Sequence, residues 1–220
     1  MSILDTFLNV YWDQYIMLEK EFYHTLHYVS LSEDNYNTYS SAFIKIILQI
    51  GSEVDIALKY YCKLLNDSFD GDKIYKYRLF LQKNDPDFCA QKIQCLDSGI
   101  ILEPWTKWMT SSEQPCWWTV YNKIKHCRDQ LGTIENETKT YYKFANLKYA
   151  LQGLSALYQT LIYSYYRHAK DEGETIITPL PGSRMFKLVG GRWDNVDFYG
   201  DEAFYIKNGD LIMKFRRSYY

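Results

Sequence analysis

Apolar residues recur at three- and four-residue steps along three long stretches. Between Ile3 and Tyr28 the stripe is Leu4, Phe7, Leu8, Tyr11, Tyr15, Leu18, Phe22 and Leu26. Between Ala42 and Leu65 it includes Phe43, Ile46, Ile47, Ile50, Val54, Leu58 and Tyr61. Between Tyr141 and Lys170 it includes Phe144, Leu147, Leu151, Leu154, Leu157, Tyr158 and Leu161. This spacing predicts three amphipathic helices. Thr38, Ser40 or Ser41 can cap the second. Gly51 inside it weakens the helix unless a neighbour packs close. The small residues Ala145, Ala150, Gly153 and Ala156 let another helix approach the third closely. A fourth helix is predicted from Cys116 to Gln130, opened by Pro115.

The intervening segments are shorter. Lys73 to Lys83 reads as a short helix, and Asp85-Pro86 ends it or starts another turn. Lys92 to Leu96 and Gly99 to Leu102 suit two short strands or an irregular excursion. Trp105 and Trp108 are expected to cover the core like a lid, and Gly132 to Thr140 reads as a polar loop. From Glu174 onward, glycine and proline punctuate short apolar runs. Met185–Val189, Ala203–Lys207 and Leu211–Phe215 read as strands, with Asn208-Gly209 as a two-residue hairpin turn. The expected fold is mainly α, an up-and-down helical bundle over residues 1–172. A small C-terminal β appendage over 173–220 packs on the bundle or on a partner subunit, being too small to be stable alone.

Charge and composition narrow the function. The net charge is -2, so a nucleic-acid partner requires a local basic patch. The five cysteines are odd in number and match no zinc spacing, which points to free thiols in a reducing compartment. Residues 1–10 lack the basic start of a signal peptide, and no apolar run approaches a membrane span. The expectation is a cytoplasmic protein with no membrane partner, no metal and no cofactor.

The candidate chemistry lies on the central helix. On a helical wheel, Trp117, Val120, Tyr121, Ile124 and Leu131 share one side, while Asn122, Lys125, His126 and Asp129 share the other. Such a polar face is commonly no more than solvated. What lifts it is His126, whose ordinary pKa near neutrality lets it give or take a proton.

The run Tyr-Asn-Lys-Ile-Lys-His at 121–126, with Arg128 after it and Ala-Asn-Leu at 145–147, resembles the HEPN superfamily. These are all-helical domains common in prokaryotic toxin–antitoxin, phage-defence and CRISPR-associated proteins. The resemblance is to its phage-defence, abortive-infection-type branch and covers residues 1–170. Many members carry an arginine, then Asn, Asp or His, then a few residues and a His. Asn122 and His126 match the second and last positions, and Tyr121 stands where the arginine would be. Active members cut RNA without metal, as dimers that join two such motifs. The resemblance therefore implies an antiviral defence protein, a homodimer with RNA as substrate, and an antitoxin or sensor as a further partner. The alternative is a non-catalytic RNA- or protein-binding module that keeps the fold.

Metal-free cleavage uses the RNA's own 2′-hydroxyl as nucleophile. It needs a base, an acid and cations for the developing phosphorane charge. His126 is the candidate base or acid, Asn122 the orienting amide, and Arg128, Lys123 and Lys125 the cations. On an intact helix Arg128 lies about 200° from His126. A structural role for it is a buried pair with Glu53, the carboxylate at the edge of the second helix's stripe. Tyr121 is expected to pack in the core. Cys127 points away from His126 and is discounted as a nucleophile.

Overall fold

The structure is a computed structural model; it describes residues 2–171 and 178–190, and the backbone alone of 203–207 and 210–214. Ser2 opens the first helix. Its hydroxyl accepts from the Asp5 N–H at 3.0 Å, and the Asp5 carboxylate accepts from the Ser2 N–H at 3.2 Å, a capping box. Helix α1 (Ile3–Phe7) runs through a π-helical turn (Leu8–Trp12) into α2 (Asp13–Thr25). The extra residue in that turn rephases the stripe, so that Phe7, Trp12, Tyr15, Leu18 and Phe22 are all buried. Helix α3 (Ser41–Leu65) starts where Ser40 Oγ accepts from the Phe43 N–H at 3.2 Å. Ser40 is thus the cap among the three candidates.

Helix α4 (Ile74–Asn84) and the short α5 (Pro86–Ala90), with proline in its first turn, lead to strands β1 (Lys92–Cys95) and β2 (Ile101–Leu102). A single helical turn, α6 (Lys107–Thr110), precedes the central helix α7 (Cys116–Cys127). Trp105 and Trp108 are not a lid. Both are fully buried, their rings 4.4 Å apart, and Trp105 meets Trp117 edge-on at 5.1 Å.

Residues 132–140 are not a loop. Strands β3 (Leu131–Ile134) and β4 (Glu137–Thr140) form an antiparallel hairpin. Glu135 and Asn136 turn it, both with positive φ (48° and 68°), as a two-residue primed turn requires. Leu131 therefore lies on a strand rather than on the helical apolar side, and it is 70% exposed. The last helix is also interrupted. A 3₁₀ turn (Tyr141–Phe144) precedes α8 (Leu147–Asp171), whose first turn is closed by Asn146 Oδ1 accepting from the Tyr149 N–H at 3.1 Å.

Helix α8 is buried almost all round, as befits a central helix. Its buried hydroxyls are satisfied locally: Thr160 donates to the Ala156 carbonyl at 2.7 Å and Ser164 to that of Thr160 at 2.9 Å. Helices α3 and α8 form the main interface. At Gly153 an added Cβ would sit 3.1 Å from Ile50 and 3.4 Å from Trp117, so the small residue admits both neighbours.

The fold is mainly α with a small antiparallel sheet. That sheet has the order β2-β1-β5, and β5 (Phe186–Val189) pairs with β1 over four residues. Strand β5, which lies past the expected boundary at 172/173, is thereby built into the body formed by the residues before it. The buried Glu19 carboxylate of α2 fixes it in place, accepting from the Arg184 N–H at 3.0 Å, the Met185 N–H at 3.3 Å, the Tyr15 hydroxyl at 2.5 Å and the Ser183 hydroxyl. Strands β6 (Ala203–Lys207) and β7 (Asp210–Lys214) pair antiparallel, one residue earlier for β7 than the sequence indicates. The Asn208-Gly209 turn lies outside the described residues. Among the described residues no helix is long and apolar enough to cross a membrane.

Candidate functional site

The buried side of α7 sets the direction of everything else on it. Trp117 donates its indole N–H to the Pro104 carbonyl at 3.1 Å, and Val120 and Ile124 are fully buried. Tyr121 is 6% exposed and its ring lies directly on Gly51 of α3. With that side fixed, the residues past one turn from it face outward. Lys125, His126, Arg128 and Asp129 are exposed, while Asn122, Lys123 and Cys127 are half-buried. The expected placement of the polar residues on a free face therefore holds for His126 and its neighbours.

The end of α7 is closed by the backbone that returns after the hairpin. The Tyr142 N–H donates to the Arg128 carbonyl and the Tyr141 N–H to that of Gln130, both at 2.9 Å. This brings Lys143 and the exposed Tyr142 beside His126's end of the helix. The Lys123 ammonium stands 5.2 Å over the Tyr141 ring. The Lys125 ammonium folds back onto Tyr121, donating to its hydroxyl at 3.3 Å and lying 5.5 Å over its ring. None of Lys123, Lys125, Arg128 and Lys143 joins an ion pair among the described residues. Asp129 is also unpaired there, so the end is cationic on balance.

Two expected relationships are absent. Asn122 does not orient His126; its amide nitrogen donates to the Trp118 carbonyl at 3.0 Å, one turn back on its own helix. Arg128 and Glu53 do not pair. Arg128 is exposed at the end of α7, past the point where Tyr121 crosses Gly51. Glu53 is half-buried and joins no ion pair among the described residues, and burial raises its carboxyl above the ordinary value.

Asn122 and Lys123 line a different feature, an open groove of about 450 Å³ between α7, the start of α4 and α3. Asp55, Lys73, Gln114 and Trp118 also line it. Burial raises the Asp55 carboxyl, and the neighbouring Tyr77 hydroxyl, Lys59 and Lys125 oppose that rise. The sequence reading missed this groove. Asp55 passes for one more charge on a helix, and Lys73 and Gln114 belong to segments with no motif. Among the described residues no three His, Cys, Asp or Glu side chains gather closely enough to hold a metal ion.

No family model, curated protein or solved structure matches this chain.

Proposed function

We propose that the chain is a HEPN-like prokaryotic defence protein that binds RNA at the cationic end of α7 and cleaves it without metal, with His126 as the proton-transfer group. The observation that carries this reading is an exposed imidazole in the last turn of a helix whose C-terminal half and returning backbone carry Lys123, Lys125, Arg128 and Lys143, none of them ion-paired among the described residues. A cationic helix end with an exposed imidazole on it offers what a phosphodiester needs: attraction for the backbone and a group to move the 2′-hydroxyl proton. One copy supplies one imidazole, while the reaction needs a base and an acid. A homodimer that brings two His126 rings to one phosphate supplies both.

The competing reading is a binding module that does not cut, partnering an antitoxin, a toxin or a sensor. It is favoured by two features of the motif. Tyr121 fills the arginine position and is buried, and the Asn122 amide is spent on a backbone carbonyl. Incubation of the purified chain with RNA in EDTA separates the two. The first reading expects fragments ending in a 2′,3′-cyclic phosphate. The second expects a retarded but intact RNA.

A further inference from the structure

Cys116 is the first residue of α7, at the opposite end from His126. Its thiol is half-buried and meets side chains from two other elements. The Lys107 ammonium of α6 donates to Sγ at 3.1 Å. Glu135, on the turn of the β3–β4 hairpin, is the carboxylate that accepts from the thiol. Glu135 is held in turn by Lys148 at 2.5 Å and by the Tyr149 hydroxyl at 2.8 Å. A sulfur, an amine and a proton acceptor are thus in contact. Burial pushes the Cys116 thiol above its ordinary value, and Lys107 opposes that rise. The other cysteines are placed differently. Cys62, Cys89 and Cys95 are buried, and burial pushes their thiols up to about 12, 12 and 11. Cys127 is half-buried at the far end of α7, about 16 Å along the helix from Cys116. That is beyond the reach of a disulfide within the folded chain.

We propose that Lys107 and Cys116 form a reversible covalent link when the protein meets hydrogen peroxide. The sulfur attacks one peroxide oxygen and the O–O bond breaks. The thiol proton passes through Glu135 to the departing hydroxide, which leaves as water, and Cys116 becomes a sulfenic acid. A sulfenic acid condenses with a nitrogen that can reach it. Here that nitrogen is Nζ of Lys107, which attacks the sulfur in its neutral form. The N–S bond forms, the S–O bond breaks, and the hydroxide takes the amine's proton and leaves as a second water. Sulfur is oxidised and peroxide is reduced, with nitrogen unchanged. One thiol, one amine and one peroxide therefore give one sulfenamide and two waters. The ammonium must first lose a proton. The Lys107 side chain is 42% exposed and stands 3.5 Å from Glu113, so solvent can take it. The contact with Cys116 holds the Lys107 pKa up, so linking should quicken as pH rises. The link fastens α6 to the start of α7 and removes the thiol proton that Glu135 accepts. It does not depend on the RNA reading.

Mass spectrometry of the full chain, before and after hydrogen peroxide, tests the proposal. The wild type should lose about 2 Da, and digestion should give one peptide joined through Lys107 and Cys116. Dithiothreitol should restore the starting mass. Lys107→Arg keeps the cation on an exposed side chain, so it should fold as the wild type does. It should stop at the sulfenic acid, which dimedone labels at Cys116. Cys116→Ser should give neither the joined peptide nor the label. Three results would each overturn the proposal. One is dimedone labelling of Cys116 as strong in the wild type as in Lys107→Arg. Another is the same mass loss in Lys107→Arg, which would mark a disulfide instead. The third is a wild-type product at Cys116 that dithiothreitol does not reverse.

Discussion

Tyr121 and Gly51 are packed ring to backbone. A Cβ placed on Gly51 would lie 2.2 Å from the Tyr121 ring, so the glycine exists where the tyrosine sits. The two residues together bring α7 against α3 and thereby turn His126 outward. Gly51→Ala gains about 1 kcal/mol of helix propensity. It also forces the ring away, at a cost of roughly 1–3 kcal/mol or more. The expected outcome is net destabilisation, read as a lower urea midpoint with unchanged slope.

The same packing predicts the result of restoring the motif arginine. Tyr121→Arg would place a guanidinium in a site that is 6% exposed, beside the Lys125 ammonium that now donates to the tyrosine hydroxyl. A loss of about 2–4 kcal/mol is expected rather than a gain of activity. Tyr121→Phe keeps the ring and should cost less than about 1 kcal/mol, being the loss of one half-exposed hydrogen bond from Lys125. Thermal melts of the two variants check the order.

Glu19 holds the chain entering β5 through two backbone N–H groups and the Ser183 hydroxyl, and accepts also from Tyr15 on its own helix. Glu19→Gln keeps the shape but puts an amide N–H where an acceptor is needed. A loss of about 1–3 kcal/mol is expected. Hydrogen exchange should speed up at Arg184 and Met185 before it does in α3 or α8. Uniform acceleration across the whole chain would show that the contact is not a local anchor.

His168, near the end of α8, is buried against Phe7 and bonded through Nε2 to the Tyr60 hydroxyl at 2.5 Å. Burial lowers its pKa from about 6.5, with Asp171 opposing. The Tyr60 hydroxyl is itself pushed up to about 12 by burial, so it stays a donor and the ring accepts. The unfolded ring takes up its proton first as pH falls. The His168 contribution to stability is therefore whole above pH 6.5, declines in the interval below it, and is gone beneath the folded value. His168→Gln should flatten the pH dependence of the melting temperature in that interval. A wild-type slope retained in the variant would assign it to other groups.

The long helices were legible because burial repeats at the helical period. Phe43, Ile46, Ile47, Ile50, Val54 and Leu58 are all buried as their spacing predicts. Strand β5 and its partner β1 were legible as runs but not as a pair, since nothing local in Lys92–Cys95 points to a strand more than 90 residues later. The β3–β4 hairpin was missed for a physical reason. Ile134 is its one buried residue, so no two-residue alternation shows, and Glu135 is an unusual residue at positive φ. His126's outward placement followed from the wheel. The absent Arg128–Glu53 pair did not, because the wheel fixes an angle around one helix and not where the neighbouring helix crosses it. Glu19 carried a readable signal, a carboxylate four residues after Tyr15 on a buried stripe. Its partners lie in a segment that sequence spacing cannot place.

The most direct test of the central claim is RNA cleavage in EDTA by the wild-type chain and by His126→Ala. The ring is exposed, so the variant should melt as the wild type does. Cleavage should fall by about 10²-fold or more if His126 moves the proton. An equally stable variant that cuts RNA at the wild-type rate, or a wild type that does not cut at all, would contradict the account.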